Sequence, residues 1–96
     1  MVTKTEIQKL LKEAEVERKD VKKFEAEGNT SLLLKAGEVY IETIQKLLKA
    51  SIDWASKNKS EATVEGLKVY EVEIKSLTDF YKAIQVEGYV NTMINN

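Results

Sequence analysis

The sequence predicts an all-α fold, an up-down-up antiparallel three-helix bundle with long helices and a short C-terminal tail. Three observations point there. The 96 residues contain no proline, so no residue is barred from a helix interior by a missing amide hydrogen. Apolar residues recur at three- and four-residue spacing over three long segments, about 4–27, 31–57 and 61–87. Only two short polar stretches separate the segments, and links that short make neighbouring helices antiparallel. The chain 1–96 is therefore expected to be a single domain.

The first segment opens on a start signal. Thr3 can cap a helix and Glu6 lies three residues on, with Val2 and Ile7 at the staple positions. Ile7, Leu10, Leu11, Ala14, Val21 and Phe24 then share one face. Gly28 is placed to end the helix in the left-handed conformation, which a residue without a Cβ adopts easily. Asn29, Thr30 and Ser31 can cap the second helix. Its main face is Leu33, Ala36, Tyr40, Ile44, Leu47, Ser51 and Trp54, and a second row, Leu34, Ile41, Leu48 and Ala55, lies beside it. A stripe that wide belongs to a helix covered from two sides, which makes this the central one. Ser56–Ser60 reads as the second turn. In the third helix Leu67, Tyr70, Ile74, Leu77, Tyr81 and Ile84 form the core face, Gly88 is the stop, and 89–96 is the tail. Gly37 and Gly66 lie beside core faces, where each would cost about 1 kcal/mol relative to Ala. Close helix–helix approach explains both.

Composition narrows the chemistry. There is no histidine and no cysteine, so the commonest general base and metal ligand are missing along with the most nucleophilic side chain. Glu pairs at helical spacing occur at Glu13/Glu17, Glu38/Glu42 and Glu61/Glu65, all off the core faces. A di-metal carboxylate bundle needs inward Glu-x-x-His partners. The glycines are scattered and make no phosphate loop. No catalytic residue, cofactor or metal ligand is assigned, no small-molecule substrate is expected, and the chain is expected not to be an enzyme. Fifteen basic and sixteen acidic side chains give a net charge of −1, which offers little bulk attraction to nucleic acid or acidic lipid. No apolar run is long enough to cross a membrane, and the first residues lack the apolar core of a signal peptide. A cytoplasmic location follows as the expectation. Abundant Lys, Glu, Ile and Val without Cys or His lean towards a thermophilic source.

Two surfaces stand out. Val72, Val86 and Val90 fall on the back of the third helix, with Tyr89 and Met93 joining them from the tail. A row of apolar residues that three helices cannot bury predicts a partner-binding face, for another protein or a second copy, unless a break at Gly88 folds Tyr89 to Ile94 back over it and makes it internal. On the first helix Lys9, Lys12, Lys19 and Lys23 line an outer stripe, with Val16 alone among them, and could contact phosphates. Acidic neighbours and the lack of interleaved aromatics favour a solvated, salt-bridged face instead.

Leu33-Leu34-Lys35-Ala36-Gly37-Glu38, followed by Ile44 to Ala50, resembles the central helix of HEPN-type bundles. Those carry an Arg and His ribonuclease motif. This chain has no His and is one helix short, so the resemblance implies an inactive relative. In overall style the chain also looks like the small helical accessory subunits of thermophilic archaea, one group of which binds the replicative DNA polymerase. That likeness matches no particular residues and assigns no site. The expected function is a non-catalytic interaction or accessory subunit. The alternatives are an accessory subunit of a replication or other nucleic-acid-processing complex with weak lysine-mediated binding, and an inactive HEPN-like bundle.

Overall fold

The computed structural model describes residues 2–76 and 79–95. These form four α-helices and no strand: α1 (Lys4–Glu27), α2 (Thr30–Asn58), α3 (Glu61–Ser76) and α4 (Phe80–Asn95). The long helices are real at the N-terminal end. The Glu6 amide donates to Thr3 Oγ1 at 3.2 Å, which fixes the start of α1. Gly28 closes α1 at φ 69°, and the amides of Gly28 and Asn29 donate back to Glu25 O and Phe24 O. Asn29 Oδ1 then accepts from the Leu32 amide at 3.2 Å, so α2 begins at Thr30.

The third predicted helix is two helices, and the bundle has four members rather than three. Ser76 Oγ donates back to Val72 O and Glu73 O, satisfying carbonyls at the end of α3. Asp79 Oδ1 accepts from the amides of Tyr81 and Lys82, capping α4 as an N-terminal carboxylate does. Gly88 does not stop the chain. The helix runs through it to Asn95, so residues 89–95 are not a tail. Leu77, expected in the core, lies outside the described residues.

Glu73 pairs with Lys82 at 2.8 Å, and Tyr70 meets Tyr89 with ring centroids 5.7 Å apart. As numbers fall along α3 they rise along α4, so these two helices are antiparallel. With two-residue links between α1, α2 and α3, the order is up-down-up-down. The central position expected for the second helix is observed: α2 touches all three others, whereas α1 and α3 do not approach each other. The bundle measures 42 × 25 × 20 Å.

The core joins Ile7 and Leu11 of α1, Tyr40, Ile44, Leu47 and Leu48 of α2, Leu67 and Ile74 of α3, and Val86, Val90 and Ile94 of α4. Three expected core residues are outside it, and the first, Phe24, is only half-buried. Tyr81 is 67% exposed because α4, which starts at Phe80, runs in its own helical phase, and Leu34 is 63% exposed. Lys75, near the end of α3, faces Glu42 and Gln45 across a surface groove, so α3 stops about two turns short of Leu34. Close approach does explain the two interior glycines. A Cβ on Gly37 would run into the Phe80 ring, and Tyr89 Oη lies 3.4 Å from where a Cβ on Gly66 would sit. α4 is thus seated by its own aromatic residues on bare backbone of α2 and α3.

Ser51 is fully buried and its hydroxyl has no partner among the described residues. An unpaired buried hydroxyl costs about 1–3 kcal/mol, and alanine is the better helix former. Ser51→Ala is therefore expected to raise the thermal midpoint, read by circular dichroism. A fall would mean that the hydroxyl is satisfied.

Candidate functional site

The apolar row expected to bind a partner is mostly interior. Val86 and Val90 are fully buried, Met93 is 8% exposed and Tyr89 is half-buried against Tyr70. The cause is the continuation of the helix past Gly88, which lets α4 turn this row onto α1 and α2. Only Val72 remains open, at 69% exposure, with Val69 one turn before it at 59%. The docking face drawn through all five residues is therefore corrected to an outward aliphatic pair on α3.

Lys9, Lys12, Lys19 and Lys23 are exposed, as expected of an outer stripe on α1. Lys19 is paired to Glu15 at 3.3 Å and Lys23 Nζ lies 5.8 Å from the centre of the Phe24 ring. Val16 is exposed among them. Two of the four lysines thus have local partners, which is the behaviour of a solvated helix face.

The structure brings together a polar cluster that the periodicity does not reveal. Glu87 of α4 is only 8% exposed. Arg18 Nε of α1 donates to both of its carboxylate oxygens, at 3.0 and 3.3 Å, and Tyr40 Oη of α2 donates to Oε1 at 3.1 Å. Three helices meet at one carboxylate. Burial holds the Tyr40 hydroxyl well above the usual phenol range, and the Glu87 charge adds to the effect. Tyr40 therefore stays protonated at ordinary pH and keeps a proton to donate to Glu87. A hydrogen bond to a charged group contributes about 1.5–3 kcal/mol. Tyr40→Phe keeps the ring and the Arg18 pair, and is expected to destabilise by about 1.5 kcal/mol in urea melts. An unchanged midpoint would remove Tyr40 from the cluster.

Above this cluster α1 and α4 diverge into a groove of about 670 Å³, with Arg18, Glu87 and Gly88 in its wall. Its apolar surface comes from Leu11, Ile84 and Ile94, and its remaining polar groups include Lys12 and Asn91. Asn91 accepts from Asn95 Nδ2 through both its carbonyl and its side-chain oxygen, at 2.9 Å each. The volume lies in the range of ligand sites. Tyr40 stays a donor, and Glu87 accepts from both Tyr40 Oη and Arg18 Nε. Among the described residues no three His, Cys, Asp or Glu side chains converge as a metal site would require.

Glu17, on the α2 side of α1, is the other perturbed carboxyl. Burial raises its pKa most, and Glu13 and Asp20 add to this. The Thr43 hydroxyl and the Lys46 ammonium oppose the rise. A carboxyl whose pKa is raised by folding favours the folded state while protonated, and that contribution is lost as pH rises through its ionisation. Glu17→Gln is therefore expected to raise the thermal midpoint at pH 7 and to leave it unchanged near pH 3. Equal midpoints at pH 7 would show that Glu17 ionises freely.

No helix among the described residues is long and apolar enough to cross a membrane. Comparison with protein-family models, curated proteins and solved structures returns no match.

Proposed function

We propose that this chain is a non-catalytic interaction subunit that docks on another protein. The observation that carries this reading is the outward face of α3. Val69 and Val72 stand one turn apart, well over half exposed, on a helix that the rest of the bundle covers from one side. Single exposed aliphatic residues are ordinary, but adjacent β-branched ones on one helix face form the start of an apolar contact. The hydrogen-bonded closure of the Arg18–Glu87–Tyr40 cluster supports a structural rather than a reactive role for the buried charges.

The test pairs the full chain with its Val69→Glu/Val72→Glu variant. Both substitutions are on the surface, so the thermal midpoint should move little. The wild type is expected to form a stoichiometric assembly with protein from its native source that survives about 0.5 M salt and is lost in the variant. An assembly that is with nucleic acid and dissolves steeply as salt rises would favour the lysine stripe of α1 instead. A chain that assembles with nothing would overturn both.

A further inference from the structure

We propose that the α1/α4 groove receives a helix of a partner protein, with one carboxylate of that helix bound by Arg18. The inference rests on the interaction-subunit reading but uses a surface separate from Val69 and Val72. It begins from Gly88. This glycine sits inside α4 at negative φ, and a Cβ there would meet nothing within 4 Å. Unlike Gly37 and Gly66, it has no packing reason within the bundle, yet glycine is the poorest helix former after proline. It lies in the groove wall, where a bare backbone lets another chain come close.

Arg18 supplies the polar anchor. Its bonds to Glu87 run from Nε alone, and its terminal nitrogens donate to no acceptor among the described residues. The side chain is 26% exposed at the groove. A guanidinium held by one edge and open along the other presents two parallel donors, the geometry that a carboxylate accepts. Lys12 adds a second cation on the same wall.

Charge and length select the occupant. Glu15 is paired to Lys19 and Glu87 to Arg18, which leaves Lys12 as the uncompensated cation of the groove, so a single carboxylate is matched, whereas a polyanion such as nucleic acid would also meet Glu15 and Glu87. From Gln8 to Arg18 the groove follows α1 for about 15 Å, the length of three helical turns. A helix satisfies its own backbone groups, while an extended strand between two helices would find no ladder to join. Ile84, one turn from Glu87, offers a contact for an aliphatic residue one turn from the carboxylate.

The experiment is a selection of helix-forming peptides from a display library on the immobilised full chain. Enriched peptides are expected to share one Asp or Glu with an aliphatic residue three or four positions away. Changing that acid to its amide should weaken binding about tenfold. Gly88→Gln should weaken it by about tenfold or more while melting no lower than the wild type, since Gln is the better helix former. Peptides that bind Gly88→Gln as well as wild type, or bind equally with the amide, would overturn the proposal. So would self-association of the wild type that Gly88→Gln abolishes, because the occupant would then be a second copy. A selection that enriches nothing overturns the groove alone. The salt-resistant assembly test on Val69 and Val72 decides the interaction reading independently.

Discussion

Val86→Asp combined with Val90→Asp is expected to unfold the protein. Both side chains are fully buried between α4 and the α1–α2 pair. Each substitution removes a packed β-branched side chain and puts a carboxylate into the hydrophobic core. The effective penalty for an unpaired buried charge is several kcal/mol, and two such penalties equal most or all of a small domain's stability, about 5–15 kcal/mol. Circular dichroism at 25 °C should show loss of helix. A folded double variant would place the row on the surface and detach α4 from the core.

Ile44→Ala is expected to cost about 2–5 kcal/mol, as buried large-to-small changes do. Ile44 is fully buried near the middle of α2, the helix that touches all the others, so its cavity cannot be closed by moving one neighbour. Chemical denaturation should show a lower midpoint with an unchanged slope, the sign of lost stability rather than a changed unfolded state. A midpoint equal to wild type would contradict the seam through Tyr40, Ile44, Leu47 and Ile74.

The helix ends at 3, 28 and 29 were legible because each depends on a local group: a Thr or Asn oxygen facing an amide, and a glycine at positive φ. The break after Ser76 was hidden by a coincidence of spacing. Ile74, Leu77, Tyr81 and Ile84 keep helical period across it, so the pattern reads as one continuous face. The local signal was Asp79, which caps α4, together with Ser76 and its backward hydrogen bonds. Gly88 misled in the opposite sense. A glycine stop depends on a positive φ, and only Gly28 adopts one among the described residues. A single helix through both boundaries would turn Tyr81 inward and Val86, Val90 and Met93 outward, the reverse of their burial.

The Arg18–Glu87–Tyr40 cluster was illegible for a different reason. Its members are separated by 22 and 47 positions, and a Glu between Val86 and Gly88 looks like any surface carboxylate. One trace was present. Arg18 is the only arginine among fifteen basic residues, and a planar guanidinium suits a partly buried carboxylate better than an ammonium does.

α4 continues through Gly88 and closes the core with Val86, Val90 and Ile94. Native-state amide hydrogen exchange tests it residue by residue. The amides of Val90, Met93 and Ile94 are expected to be protected for nearly as long as those of Ile44 and Leu47. Exchange at those three positions close to the rate of an unstructured peptide, while Ile44 and Leu47 stay protected, would contradict it.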